Sequence, residues 1–340
     1  MNNAVNFEPY SAKELETDQE IRWCPGCGDF AILKQVQITI PKLNIPRENI
    51  VFISGIGCSS RFPYYMNTYG MHSIHGRATA IATGLKVARP DLSVWVITGD
   101  GDSLSIGGNH LIHILRRNVD VNILLFNNQI YGLTKGQYSP TSELNKITKS
   151  SPVGTLDNPF NPLALALGSG ATFVARSIDK EARHLQKMIE RTHLHKGASL
   201  LEIYQNCNIF NDNAFEVFGN KTSQKTNAIF LEHAAPLIFG DKEDALGIVL
   251  DAYKPRVVKM ADGYSENDLW IHDEQDIFKA QILARFFDTE DFPRPFGVIY
   301  AREQISFEKA VQNQLEQEKV QKSNIDLSVL LAGNQTWTVN

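Results

Sequence analysis

The chain has 340 residues, 43% of them hydrophobic and 21% charged, enough for one large domain or two ordinary ones. Its formal net charge is −5, with no basic run, so nucleic acid and anionic membrane surfaces are not its partners by charge. No apolar stretch approaches the roughly 20 residues of a membrane span, and the polar, acidic N-terminus is neither a signal nor a transit peptide, which places the protein in the cytoplasm.

In chain order, residues 1–21 read as an extended arm lying on something else, and RWCPGCGDF (22–30) follows with two of only four cysteines. In a reducing compartment a Cys-x-x-Cys pair points to metal binding or catalysis rather than a disulfide. A thioredoxin-like dithiol would need a preceding strand, which residues 1–23 do not offer. From about residue 50 an α/β alternation begins. NIVFISG (49–55) is a strand, HSIHGRATAIATGLKVARPD (72–91) a tightly packed helix stopped by Pro90, and LSVWVITGDGD (92–102) a buried strand running into a Gly-Asp loop. A helix at 105–118, a strand within 119–132, a long Ser/Thr/Pro/Asn-rich loop at 138–163, a strand at 171–177, a helix at 179–197 and a strand at 199–207 complete the scheme. Near-continuous apolar strands separated by helices predict a parallel sheet covered by helices on both faces.

After about residue 208 the pattern weakens; GVIYARE (297–303) reads as a strand and 306–323 as a polar, exposed helix. This divides the chain into an N-terminal arm with the Cys-x-x-Cys pair (1–48), an α/β domain (49–210) and a C-terminal appendage (211–340) covering that domain or a partner.

Two adjacent strand ends carry chemistry. VITGDGDS puts Asp100 at one carboxyl end, and LLFNNQIYG puts Asn127 and Asn128 at the next, 28 residues from Asp100 to Asn128 across one helix. Ligands of open parallel sheets bind outside these ends. A carboxylate, a carboxamide and a nearby carbonyl suit Mg²⁺, which fills its remaining positions with phosphate oxygens and water. The glycines at 99, 101, 107 and 108 let backbone approach a phosphate. A lone Asp-Gly turn has an ordinary reading as a βα loop; the pair of loops at this spacing is more specific.

GDG followed by NN resembles the diphosphate-binding motif of thiamine diphosphate enzymes, and the run GDGDSLSIGGNHLIHILRRNVDVNILLFNNQIYGLTKGQ resembles the β subunit of 2-oxoacid:ferredoxin oxidoreductases over roughly residues 22–210. The resemblance implies the thiamine diphosphate-binding fold, with Asp100, Asn128 and the Ile130 carbonyl on Mg²⁺. It also implies that Gly99, Asp100, Gly101, Asp102, Asn127 and Cys58 meet the cofactor. Cys24, Cys27, Cys58 (GIGCSS) and Cys207 (YQNC) would hold one [4Fe–4S] cluster. The element pattern supports that grouping, since Cys58 and Cys207 each follow a strand and so belong to the same carboxyl edge. Four thiolates also suit zinc, although a zinc ribbon usually brings two Cys-x-x-Cys pairs and this chain has one; four unrelated buried cysteines are the ordinary reading.

Arg61 is a candidate bidentate partner for a 2-oxoacid carboxylate, with a surface or phosphate-pairing Arg as its ordinary reading. His75 resembles a family position beside the cofactor, with a structural role as the alternative. Thr134, Lys135 and Gln137 in YGLTKGQYSPT (131–141) are candidate lid contacts, and His110 and His113 read as core packing. Thiamine enzymes place a Glu against the aminopyrimidine in a second domain, and no segment here is long or regular enough to be one. By resemblance an α subunit supplies it, in a heterodimer or a dimer of heterodimers. The implied reaction is coenzyme A-dependent oxidative decarboxylation of a 2-oxoacid, closest in form to the 2-oxoglutarate type, giving acyl-CoA and CO₂ with electrons passed to ferredoxin. Alternatives are a pyruvate or broad-specificity enzyme, a non-oxidative thiamine enzyme with structural zinc, or a non-enzymatic zinc-stabilised assembly protein.

Overall fold

The computed structural model describes residues 8–289, 291–321, 326–334 and 336–337. Its strands are β1 (Ile50–Ser54), β2 (Tyr69–His72), β3 (Ser93–Gly99), β4 (Asn122–Asn127), β5 (Phe173–Ile178), β6 (Ser199–Tyr204), β7 (Ala228–Phe230), β8 (Ile238–Phe239), β9 (Leu246–Asp251), β10 (Lys254–Lys259) and β11 (Arg294–Ala301). The helices are α1 (Gly28–Thr39), α2 (Ala78–Ala88), α3 (Asp100–Leu104), α4 (Gly108–Arg117), α5 (Pro162–Gly168), α6 (Ala182–Leu194), α7 (Glu216–Gly219), α8 (Lys221–Asn227), α9 (Ile277–Arg285), α10 (Phe307–Gln321) and α11 (Leu327–Ala332).

Eight strands form one sheet in the order β2-β1-β3-β4-β6-β5-β11-β7. Every pairing is parallel except β5 with β11. The two-residue period of the strands sorts their side chains cleanly. Val94, Val96, Ile123 and Leu125 face a core shared with α2, α4, α5 and α9. Trp95, Ile97, Leu124 and Phe126 face the opposite core with α1 and α6. The expected parallel sheet with helices on both faces is what the chain forms.

Several elements depart from the sequence reading. The helix expected from residue 72 starts at Ala78, because residues 69–72 pair in register with β1 as edge strand β2. Tyr69 and Met71 on that edge are exposed, so the segment lacks the buried apolar pattern that marks the inner strands. Before residue 50 lies the full helix α1, packed into the sheet's core through Ile32, Leu33 and Val36. The arm is anchored rather than loose: Leu15 is fully buried and its carbonyl accepts from Asn67 N–H at 2.8 Å. Residues 1–7 of the expected arm lie outside the described residues. After residue 210 the chain returns to the sheet twice, as β7 and β11, and adds a small antiparallel sheet β10-β9-β8. Helix α10 is the expected polar helix, of which residues 322–323 lie outside the described residues. His113 is exposed and His110 half-buried, so the α4 core face is Leu111, Ile114 and Leu115 instead. No helix among the described residues is long and apolar enough to cross a membrane.

Candidate cofactor and cysteine site

Strands β1, β3, β4 and β6 end side by side, and the loops leaving them enclose two adjoining cavities. The larger, about 520 Å³, is walled by Gly99, Asp100, Gly101, Asp102, Asn128 and Ile130, with Cys58, His75 and Tyr131 among the remaining lining residues. A smaller one, about 220 Å³, is ringed by all four cysteines. Cys58, Asn128, Gly132 and Leu133 belong to both walls.

Asp100 follows directly on β3 and is 2% exposed. Ser139 Oγ donates to its Oδ2 at 2.5 Å, and Thr141 Oγ1 lies 2.6 Å from the same oxygen. Burial pushes the carboxyl up to about 6 against the pull of these hydroxyls and of the Gly101 N–H. Gly101 is required by its neighbour: a Cβ there would sit 2.1 Å from a Tyr131 ring carbon, and Tyr131 OH donates to the Gly101 carbonyl at 3.1 Å.

Asp102 has a different place from the one its spacing suggests. Its Oδ1 accepts from Gly76 N–H at 2.7 Å and Ile56 N–H at 3.0 Å, and its Oδ2 accepts from Thr98 Oγ1 at 2.7 Å. His75 Nδ1 lies 2.6 Å from the same Oδ1. A carboxylate accepts only, so the Nδ1–H donates and Nε2 is the ring nitrogen left for a ligand. The side chain of Asp102 therefore ties the end of β3 to the loops at Ile56 and Gly76 and orients His75.

Asn127 lies outside the cavity wall. It is fully buried, its Nδ2 donates to Glu202 Oε1 at 2.8 Å, and its Oδ1 accepts from Gln129 N–H at 3.2 Å. Expected at the diphosphate, it has both amide ends committed to the protein interior. Asn128 does reach the cavity; its Oδ1 accepts from Ile130 N–H at 3.1 Å and its Nδ2 donates to Gln205 Oε1 at 2.8 Å. Gln129 between them takes a positive φ of 56°, which turns the chain so that Asn128 and Ile130 face the same space.

The cysteines come from three regions. Cys24 and Cys27 flank a tight turn closed by Cys27 N–H to Cys24 O at 3.0 Å, with Gly26 at φ 84° in the position that favours glycine. Cys58 opens a 3-10 turn beyond β1, and Cys207 lies three residues past β6. A Cβ on Gly132 would sit 3.6 Å from both the Cys58 and Cys207 sulfurs, so bare backbone lines this part of the ring. Burial holds the Cys27 thiol up and pushes Cys58 up to about 12, with buried Asp29 adding to both. Arg22, Arg61 and Lys135 line the cysteine cavity, and among the described residues no Asp or Glu does. Among the described residues no three His, Cys, Asp or Glu side chains converge closely enough for a single ion. Arg61 also lines a third cavity of about 360 Å³ with Tyr64 and His72, beyond the shared Ile56, Gly57 and Leu133 wall.

Of the residues singled out in the sequence, Gly99–Asp102, Asn128, Ile130, Cys58 and His75 meet at one cavity, and the four cysteines at the next. Thr134 and Gln137 line the first and Lys135 the second. Ser139, Thr141, Gln205 and Trp23 were not singled out. The first two close the 131–141 lid stretch, where nothing sets their hydroxyls apart from the neighbouring Ser and Thr residues. Trp23, whose Nε1 donates to Cys58 O at 2.6 Å, had only its place beside the first cysteine as a signal.

A glycine-cradled carboxylate at the carboxyl edge of a parallel sheet is the arrangement of a diphosphate-binding class of fold. In agreement, residues 55–203 match the model of the C-terminal TPP-binding domain of thiamine pyrophosphate enzymes. The chain is 49% identical to the 2-oxoglutarate oxidoreductase subunit KorB of Mycobacterium tuberculosis, covering 98% of this chain and 90% of that one. It is 48% identical over 190 residues to the beta subunit of 2-oxoacid:ferredoxin oxidoreductase 1 of Aeropyrum pernix, covering 56% of this chain and 60% of that one. Among solved structures it is similar to a 2-oxoglutarate:ferredoxin oxidoreductase from Magnetococcus marinus with 2-oxoglutarate, coenzyme A and succinyl-CoA bound, at 31% identity and a TM-score of 0.78 over 98% of both chains. The chain belongs to the 2-oxoacid:ferredoxin oxidoreductase family, as a beta subunit.

Proposed function

We propose that this subunit works in a cytoplasmic complex that decarboxylates 2-oxoglutarate oxidatively with coenzyme A, giving succinyl-CoA and CO₂ and passing two electrons to ferredoxin. The observation that carries the reading is the shared wall: Cys58 borders both the Asp100 cavity and the ring of cysteines. A substrate oxidised in the first cavity therefore lies one side chain away from the second. The names of the similar proteins support 2-oxoglutarate over pyruvate.

The residues fit the implied groups. Asp100, the Asn128 side chain and the Ile130 carbonyl are hard oxygens at one cavity wall, the donor set Mg²⁺ takes with a diphosphate. Cys24, Cys27, Cys58 and Cys207 line one cavity of about 220 Å³ and supply the four thiolates a [4Fe–4S] cluster takes, while among the described residues no three such ligands stand close enough for a single ion such as zinc. When bound, thiamine diphosphate supplies the electron sink for decarboxylation and the cluster supplies one-electron steps toward ferredoxin. The chain's own part is positional. Ile56, Ile130, Leu133 and Tyr131 give the first cavity an apolar wall. His75, held through Nδ1 by Asp102, presents Nε2 as the group that accepts or returns a proton there. Arg61, which lines the adjoining third cavity, would pair a substrate carboxylate. An α subunit brings the second thiamine-binding domain with its Glu and completes the coenzyme A site, in a heterodimer or a dimer of heterodimers.

Anaerobic purification of the complex, with iron and zinc analysis, tests this directly. The expected sample is brown with about four iron per β chain, as one cubane requires; a colourless zinc protein overturns the reading. Asp100→Ala is expected to abolish thiamine-dependent activity and keep the iron. Loss of iron in that variant would mean that the two cavities do not act as separate sites.

A further inference from the structure

One hydrogen-bonded chain crosses the wall between the two cavities, and its direction is fixed at every link. Ile130 N–H donates to Asn128 Oδ1 at 3.1 Å, which commits that amide oxygen as acceptor. Asn128 Nδ2 then donates to Gln205 Oε1 at 2.8 Å. Gln205 Nε2 has two protons; one goes to Asn206 O at 2.6 Å and the other points at Cys27 Sγ, 3.3 Å away. Gln205 is 1% exposed, and its backbone N–H donates to Asn127 O at 2.9 Å, which anchors the residue beside the cofactor loop. Swapping oxygen and nitrogen at either amide would set donor against donor or acceptor against acceptor, so the orientation follows from the network.

We infer that Gln205 is a positioning residue that tunes the electron acceptor at the cysteines and links it to occupancy of the cofactor cavity. The inference rests on the cluster reading proposed above. An N–H aimed at a cysteine sulfur stabilises the more electron-rich state of an iron–sulfur group and so raises its reduction potential. Asn128 and Ile130 are the residues placed to hold a cation. A cation pulling on them moves the far end of the same chain, and with it the donor on Cys27. Coupling of this kind would make the acceptor's readiness depend on a filled cofactor cavity, through a continuous set of contacts acting on both sites.

The test is potentiometric titration of the anaerobic αβ complex, followed by the electron paramagnetic resonance of the reduced cluster, with Mg²⁺ and thiamine diphosphate present and after their removal. In the native protein the midpoint is expected to shift when the cofactors are removed. Gln205→Leu, matched in size and without a donor, is expected to keep its iron, show a more negative midpoint and lose most of the response to cofactor removal. Gln205→Glu keeps an acceptor for Asn128 but turns an oxygen toward Cys27, so it too is expected at a more negative midpoint. Equal midpoints in native protein and Gln205→Leu, or a full cofactor response in that variant, overturn the inference. If Gln205→Leu loses iron or fails to fold, Gln205→Glu decides by the same two criteria. Native protein without iron would instead sink the cluster reading itself, a result that iron analysis identifies before any titration.

Discussion

At the scale of single residues, two carboxylates two positions apart have opposite duties. GDGD presents Asp100 and Asp102 as equals. Asp100 follows the strand end into the cavity, while Thr98 and the N–H groups of Ile56 and Gly76 capture Asp102 from behind. Thr98 lies on β3 itself, but Ile56 and Gly76 come from two other loops, 46 and 26 residues away, so no local rule separates the two. Thr141 has the same kind of hidden role, its hydroxyl lying 2.6 Å from Asp100 Oδ2 and 2.8 Å from Asn127 Oδ1. With the Ser139 and Thr141 hydroxyls both on Oδ2, Asp100 Oδ1 is the oxygen a cation would take. A hydrogen bond to a charged group contributes about 1.5–3 kcal/mol. Thr141→Val is therefore expected to weaken Mn²⁺ binding in the presence of thiamine diphosphate by at least about tenfold, read from the free-ion paramagnetic resonance signal. Thr141→Ser should stay within about twofold. Equal losses in both variants would assign the effect to shape rather than to the hydroxyl.

At the scale of elements, the sequence pattern was clearest where strands alternate with helices, and poorest after residue 208. Strand β11 belongs to the main sheet but runs antiparallel to β5, with a register shift between Val298 and Tyr300. A single apolar run far from the other strands carries no mark of which sheet it joins. What seats it is in part a buried charge. Arg176 on β5 and Glu202 on β6 are register partners, both fully buried; the guanidinium Nε donates to Glu202 Oε2 at 2.7 Å and Nη1 to Pro295 O on β11 at 3.2 Å. Glu202 also takes Asn127 Nδ2, so one pair braces the cofactor loop and the C-terminal strand together. Breaking a buried pair leaves an uncompensated charge, at a cost of about 3–5 kcal/mol. Arg176→Met is expected to lose stability on that order in urea unfolding. A loss below about 1 kcal/mol would show that the pair is not what seats β11. The signal for it was present as an Arg and a Glu inside otherwise apolar strands.

At the scale of the whole molecule, burial leaves an acid-sensitive signature. His184, His193 and His195, on or just after α6, are each held down to about 4 by burial. Their unfolded value is about 6.5, so between there and 4 the unfolded chain binds more protons than the folded one. Stability from these groups is complete above pH 6.5 and is lost as pH falls through that window. Buried carboxyls raised toward 6 and 7, Asp100 and Asp29, act in the opposite sense, so a single-site comparison isolates the histidine effect. The stability difference between native protein and His193→Gln is expected to narrow, or change sign in the variant's favour, from pH 7 to pH 4.5. A difference that does not change with pH would mean that His193 titrates normally in the fold.

Much of this protein was legible along the chain. A parallel α/β core follows from strand and helix periodicity. Asp100 and Asn128 fall at neighbouring strand ends because a right-handed crossover through one helix leaves little choice. Cys58 and Cys207 follow strands of the same sheet and so arrive at the same edge. These are consequences of short-range rules: side-chain period, chain direction and the length of a crossover. Tertiary structure alone decided which partners hold each of the two carboxylates, Asp100 and Asp102, that Asn127 turns inward, that helix α1 packs behind the first cysteines, and that Gln205 stands between Asn128 and Cys27. Each of those depends on partners more than twenty residues apart, and only close packing of the folded chain determines which donor meets which acceptor.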